Sequence, residues 1–164
     1  MGAALETARL SLRLFDIGDA TELHEIFAEP AHTIGEGPVS EIAWTRGWIG
    51  RRMDAYWTNG LCWYGLRERA SGMLLGNCGV FAGRTGVEEP EIGYAIRCSH
   101  RGHGLAREAA AAVLREALAA GVPRVWATIR PHNTASIRIA ESVGLRCHST
   151  RFDSKGPLLY LCTE

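Results

Sequence analysis

One stretch constrains this chain more than any other. Glu91-Ile-Gly-Tyr-Ala-Ile96 leads into Arg97-Cys-Ser-His-Arg-Gly-His-Gly104 and then into the alanine-rich run from Leu105 to Ala120. The first segment reads as a strand. The last has high intrinsic helix propensity and is stopped by Gly121 and Pro123. Strand, glycine-bearing loop and helix start, in that order, build an anion site. The first helical N–H groups have no partner inside the helix, and the dipole favours negative charge there. Glycines let such backbone approach a phosphate closely. Arg101 and Arg107 flank the turn and would add charge. On spacing alone, an ordinary strand-to-helix turn accounts for the segment equally well. It is not a Walker P-loop, because no Gly-Lys-Ser/Thr follows. Gly102 and Gly104 do not complete a dinucleotide fingerprint, since position 107 is arginine.

The rest of the chain supplies a mixed sheet around that unit. Arg9–Phe15 alternates Leu10, Leu12 and Leu14 against Arg9, Ser11 and Arg13, the period of a half-buried strand. Asp19 is expected to cap a helix reaching Ala28, and Ser40 a second helix reaching about Tyr56. Between them, Glu29–Pro38 reads as a loop with two prolines and two glycines. Strands are predicted over Leu61–Arg67, Met73–Phe81 and Glu91–Ile96, punctuated by Ser71, Gly72, Gly83 and Gly86. Arg124–Ile129 reads as a strand buried on both faces, Ala135–Val143 as a short helix ended by Gly144. Leu145–Phe152 and Leu158–Cys162 are the closing strands. The predicted class is a mixed α/β sheet with crossover helices, in one domain spanning residues 1–164.

Composition removes several function classes. At 164 residues and 46% hydrophobic, the chain is long and apolar enough to bury a core and is not disordered. Eighteen basic against eighteen acidic side chains argue against a nucleic-acid backbone binder and give no support for adhesion to anionic lipid. No apolar run approaches a membrane span, and the N-terminal residues give no expectation of a signal peptide. Cys62, Cys78, Cys98, Cys147 and Cys162 are scattered, odd in number and never in a C-x-x-C pair. They read as thiols of a reducing compartment, without metal-ligand spacing, so a cytoplasmic protein without a metal is expected.

Four motifs in order give a family likeness. Arg101-Gly-His-Gly104-Leu-Ala106 resembles the acyl-CoA pyrophosphate loop of the GCN5-related N-acetyltransferases (GNAT). Leu5–Leu14 looks like the opening strand of the RimJ/RimL branch, and Glu91–Tyr94 like its fourth strand. Asn133-Thr-Ala-Ser136, with Val143-Gly144-Leu145, is similar to the segment after its fifth strand. The resemblance covers nearly the whole chain. It implies a mostly antiparallel sheet with four helices, splayed between the fourth and fifth strands, and acetyl transfer from acetyl-CoA to an amine. It also admits a homodimer. By that likeness, backbone N–H groups across Gly102, His103, Gly104, Leu105, Ala106 and Arg107, beside Arg101, would cradle the pyrophosphate. Asn133 and backbone near Ile96 would bind the pantetheine arm, and the N–H near Tyr94 or Ala95 would polarise the thioester carbonyl, an effect worth roughly 3 kcal/mol elsewhere.

Two positions depart from the family pattern. Ala140 stands seven residues after Asn133, where many relatives carry a tyrosine acid, and Arg107 replaces a small hydroxyl residue. Ser136 matches the branch serine, whose hydroxyl would donate to the coenzyme sulfur; alternatively it serves the short helix. Glu91 is the first candidate for the base, with an ordering role as the alternative. His100 and His103 read as loop residues, and His132 is a further candidate. No Ser-His-Asp or Cys-His pairing is evident, so direct transfer is expected. Trp44, Trp48, Trp57, Trp63 and Tyr64 read mainly as core, with one or two walling an acceptor pocket bordered by Glu29–Ser40 and Asp153–Pro157. Glu36, Glu41, Glu88 and Glu89 would favour a cationic amine. By the same resemblance, the acceptor would be a protein α-amine or a small-molecule amine. A non-catalytic acyl-CoA-binding module is the alternative that Ala140 keeps open.

Overall fold

A computed structural model describes residues 1–32 and 37–164. The leucine alternation near the N-terminus becomes a strand whose inner face is sealed. Strand β2 (Leu10–Leu14) buries Leu10 and Leu12 completely, a contribution of roughly 1.5–3 kcal/mol for each side chain. It pairs antiparallel with β1 (Ala4–Glu6), so the segment expected as one opening strand over Leu5–Leu14 is a hairpin of two, and with β3 (Trp63–Glu68). Strands β4 (Leu74–Gly83) and β5 (Gly86–Ile96) continue the antiparallel run. The chain then crosses through α3 (Leu105–Ala119) to β6 (Trp126–Ile129), which lies parallel to β5. Helix α4 (Thr134–Ser142) precedes the closing hairpin of β7 (Arg146–Asp153) and β8 (Gly156–Cys162). The eight strands lie in the order β1-β2-β3-β4-β5-β6-β8-β7.

Helices cover both faces. Ala109, Ala110, Val113 and Ala117 of α3 pack against Leu10, Leu12, Leu66 and Ile96, where small side chains let the helix lie close to the sheet. On the other face, α1 (Ala20–Phe27) and α2 (Ile42–Asn59) enclose an aromatic cluster. Trp48 meets Phe15, Phe27 and Trp63 edge-on, with centroids 5.7, 5.1 and 5.3 Å away. Pairs in this geometry add roughly 0.5–1.5 kcal/mol beyond area burial.

Asp19 stands at the expected N-cap of α1, with Ala28 at its C-cap, but the capping bonds differ from expectation. Asp16 caps a short 3-10 turn, Ile17–Asp19, through its own side chain. The Asp19 carboxylate makes no bond to the first amides of α1, because Arg13 and Arg67 claim it at 2.7 and 2.8 Å. Those ion pairs tie β2 and β3 to α1. Helix α2 starts after Glu41 rather than Ser40, with no side-chain cap.

Candidate active site

The sheet parts where a ligand would need it to. Among the described residues, β5 and β6 share one register pair, Glu91↔Trp126. Beyond it β5 runs on to Ile96 beside β4, while β6 follows β8 to Ile129↔Leu159. The amide of Arg97 donates to the carbonyl of Leu75 at 2.7 Å, which fixes the alternation of the β4–β5 ladder. In that register Gly93 and Ala95 exchange bonds with β4, and the peptide groups of Tyr94 and Ile96 face the gap.

Two cavities open on opposite faces of the sheet and meet there. The cavity on the α3 side has a volume of about 620 Å³, that on the α2 side about 1200 Å³. Tyr94, His132, Asn133 and Ser136 line both.

Most of the glycine turn lines the α3 cavity: Arg101, Gly102, Gly104, Leu105, Ala106 and Arg107, with Ile96 beside them. Gly102 and Gly104 have φ of 79° and 78°, a left-handed backbone that L side chains rarely adopt. Gly104 is the N-cap of α3, so the turn presents the first amides of a fifteen-residue helix to the cavity. These features fit a phosphate-bearing ligand. His103 is not among the lining residues: its carbonyl accepts from Arg9 at 2.8 Å, and its ring leans back toward the carbonyl of His100. Arg101 donates through Nε to the carbonyl of Ile96 at 2.9 Å and points its terminal nitrogens at the carbonyl of Ala31. Its charge borders the cavity while its donors brace the loop.

Several residues that matter here carried no signal of their own. Arg9 bolts the turn from β2's end, pairing with Glu108 of the first α3 turn at 2.7 Å. Partial burial opposes ionisation of Glu108, but hydrogen bonds from Thr7 and from the backbone and side chain of Arg9 hold its carboxyl below the usual range. His32 also lines the α3 cavity. Both its ring nitrogens are buried without a hydrogen-bond partner among the described residues, and its ring leans on Phe27 at 4.8 Å. Burial, with Arg101 nearby, lowers its pKa to about 4. A lone histidine in a glycine-proline loop could not be singled out from sequence.

At the junction, Asn133 spends its side-chain oxygen capping α4, accepting from the Ser136 amide at 3.2 Å. Its amide NH₂ remains to donate. The Tyr94 hydroxyl donates to the Ser136 carbonyl at 2.7 Å and clamps β5 to α4. Burial pushes that phenol well above its ordinary range. Ala140 is fully buried in the core beneath.

Glu91 is buried and lines the α2 cavity. One oxygen accepts from the Arg84 amide, the other from the Thr128 hydroxyl at 2.6 Å. It thus latches the β4–β5 turn and β6 together where the strands begin to part. Arg84 and Thr128 were not anticipated. Trp44, Trp48 and Trp63 line this cavity, as do Asp153, Ser154 and Pro157 of the last hairpin. Trp57 is 80% exposed, and Tyr64 is buried with its hydroxyl on the Gly2 carbonyl. The expected acidic wall is not found: among the described residues Glu41, Glu88 and Glu89 do not line the cavity. Glu89 instead accepts from the Trp126 indole at 2.7 Å. Glu36 lies outside the described residues. Ala31 and His32, from the loop expected beside the acceptor, border the α3 cavity instead.

A family model described as an acetyltransferase (GNAT) domain matches residues 9–146. The chain belongs to the GNAT acetyltransferases. It is 30% identical over 149 residues to the uncharacterized protein YkkB of Bacillus subtilis, covering 89% of this chain and 87% of that one. A GNAT-family acetyltransferase structure from Bacillus anthracis superposes with a TM-score of 0.82 at 24% identity, over 97% of this chain and 96% of that one. RimL, a ribosomal L7/L12 α-N-protein acetyltransferase in complex with coenzyme A, superposes at 0.86 with 16% identity, over 97% and 96% of the two chains. The eight-stranded sheet with its parallel β5–β6 pair is thus the GNAT fold, and the chain is an acetyltransferase of that family that uses acetyl-CoA. The five cysteines are free; Cys62, Cys78 and Cys162 are buried, with their thiols pushed up by that burial. No helix among the described residues is long and apolar enough to cross a membrane.

Proposed function

We propose that this GNAT protein, as one domain over residues 1–164, transfers an acetyl group directly from acetyl-CoA to a primary amine. The acceptor amine belongs to a protein N-terminus or a small molecule. One observation carries the proposal: cavities on opposite faces of the sheet meet at Tyr94, His132, Asn133 and Ser136, so donor and acceptor can enter from opposite sides. Acetyl-CoA supplies an activated thioester. In the transfer a C–N bond forms, the C–S bond breaks, the amine gives up a proton and the departing sulfur is free to take one.

The residues take the following parts in this proposal. Amides from Gly102 to Arg107 hold the pyrophosphate at the start of α3. Backbone at Ile96 and the Asn133 side-chain NH₂ hold the pantetheine arm. The Tyr94 N–H, facing the gap, polarises the thioester carbonyl, and the Ser136 hydroxyl donates to the sulfur. Glu91 is the candidate base. A carboxylate has about four acceptor sites, and two here are taken by Arg84 and Thr128, which leaves capacity to receive a proton through water.

Calorimetric titration with acetyl-CoA, repeated with dephosphorylated pantetheine, tests the cradle. Tight binding that depends on the pyrophosphate is expected, followed by amine-dependent release of CoA. Absence of acetyl-CoA binding would overturn the proposal.

A further inference from the structure

The α2 cavity holds a guanidinium in a setting that its own fold does not account for. Arg52, on the inner side of α2, lies over three aromatic rings: its Cζ is 4.6 Å from the centroid of Trp63, 5.0 Å from Trp48 and 5.3 Å from Phe81. Burial, with Arg51 next to it, lowers its pKa to about 10, so it stays charged at neutral pH. Among the described residues it has no hydrogen bond or ion pair. Its Nε is buried without an acceptor, while the side chain lines the cavity. Of the other arginines of that cavity, Arg130 makes a 2.7 Å ion pair with Asp153, Arg84 lies 3.8 Å from the same carboxylate, and Arg51 is exposed to solvent with its Cζ 5.8 Å from the Trp44 centroid. Aromatic faces stabilise a cation but leave the in-plane N–H groups of a guanidinium unused. Those donors match the two oxygens of a carboxylate.

The position of this charge relative to the gap gives it meaning. The same Trp63 ring reaches β5, where a Cβ on Gly93 would come within 2.6 Å of it. Gly93 adjoins Tyr94, whose peptide group faces the gap. Phe81, under the Arg52 guanidinium, pairs across the ladder with Glu91. The cavity wall therefore runs from a cation with no ion pair among the described residues, across two rings, to a buried carboxylate beside the reacting centre. That is the complement of a zwitterion.

We infer that the acceptor is an amino acid, whose carboxylate binds Arg52 while its amine lies at the gap beside Glu91. The inference rests on the acetyl-transfer proposal and narrows its two acceptor classes to the small-molecule one. A protein N-terminus carries no α-carboxylate beside its amine, because that carboxyl is in a peptide bond.

The test compares amine pairs that differ only in that charge. Glycine, leucine, phenylalanine and aspartate are each assayed against the corresponding α-carboxamide, at saturating acetyl-CoA, by CoA release. The amide's amine is less basic and more readily neutral, so intrinsic reactivity favours the amide. A preference for at least one free acid of roughly tenfold or more in kcat/KM is expected, since a hydrogen bond to a charged group contributes roughly 1.5–3 kcal/mol. Arg52→Met should erase that preference through KM, and Arg52→Lys should restore part of it. Equal or better turnover of every amide, or a preference unchanged in Arg52→Met, would overturn the inference and leave the transferase proposal standing. If no amine of the panel is acetylated, binding decides. N-acetyl amino acids should quench tryptophan fluorescence at Trp48 and Trp63 more strongly than their amides, and no difference would overturn the inference. Loss of acetyl-CoA binding would instead bring down the transferase proposal itself. The acid–amide comparison uses wild-type protein, so it stands even where Arg52→Met fails to fold.

Discussion

The two cavities are built by different means. The α3 cavity draws most of its wall from two short runs, residues 94–107 and 132–139, and its anion-binding character comes from backbone amides and two left-handed glycines. The α2 cavity gathers side chains from α2, β3, β4, β5, β6 and the last hairpin. Recognition by backbone is local in sequence, because one turn and one helix start suffice to create it. Recognition by side chains depends on which residues the sheet and helices bring together. The first can be read as a motif; the second has no motif to read.

The sharpest way to break this contrast is to attack the backbone cradle alone. Gly104→Glu puts a carboxylate where a phosphate would lie, at a φ of 78° that disfavours any side chain. Acetyl-CoA affinity should fall by more than ~10³-fold, or ~4 kcal/mol, while quenching of the α2-side tryptophans by acceptor analogues is retained. Gly104→Ala separates backbone strain from charge and should lose much less. Affinity retained in Gly104→Glu would show that the turn is structural.

Glu91→Gln probes the other wall. Glutamine keeps both contacts, accepting from the Arg84 amide and donating to the Thr128 hydroxyl, so the substitution removes charge and little else. If Glu91 is the base, kcat/KM should fall by ~10²-fold at neutral pH. The deficit should shrink as pH rises and the amine loses its proton unaided. A deficit constant across pH would leave Glu91 as the latch between β5 and β6.

The same division explains what was legible. The long helix, the turn before it and the order of strands followed from propensity, glycine placement and periodicity. Ser40 misled, since α2 starts after Glu41; Asp19 took its expected N-cap position, but its carboxylate had stronger partners in Arg13 and Arg67 than the helix amides. Arg9 looked like the outward residue of a half-buried strand; its grip on His103 and Glu108 spans about a hundred residues of chain. Acidic loop residues suggested a cationic acceptor, yet the fold turns Glu89 toward Trp126 and brings Arg52 to the cavity. Charge in sequence says little about which face it will occupy.

The α3 side should also carry a pH dependence of its own. His32 is held neutral down to about pH 4 by burial and by Arg101, with Glu29 pulling weakly the other way. An unfolded imidazole protonates near pH 6.5. Between those values the unfolded chain binds a proton that the folded chain refuses, so stability falls as pH drops from 6.5 toward 4. The loss should be of order 2 kcal/mol, less than the full shift because local opening lets the ring charge before the whole chain unfolds. Urea unfolding at pH 7 and 5 should show this slope in wild type and a shallower one in His32→Phe. Equal slopes would mean that the ring reaches solvent before it charges.

The smallest effect falls where the two cavities meet. Ser136 contributes its amide to the Asn133 cap and its carbonyl to the Tyr94 hydroxyl, and both contacts survive replacement by alanine. Only the hydroxyl is lost. If it donates to the departing sulfur, kcat should drop by about fivefold, the value of one neutral hydrogen bond of ~1 kcal/mol, with acetyl-CoA affinity unchanged. Alanine also favours the helix, so stability should not decline. A fall in coenzyme affinity at constant kcat would move the hydroxyl from the reacting centre to the binding of the arm. Unchanged kinetics would return it to α4. With Ala140 in place of the family's tyrosine, the outcome also bears on Tyr94, whose hydroxyl is already committed to the Ser136 carbonyl. A silent Ser136→Ala would leave the thiolate to be protonated by water entering from the α2 side.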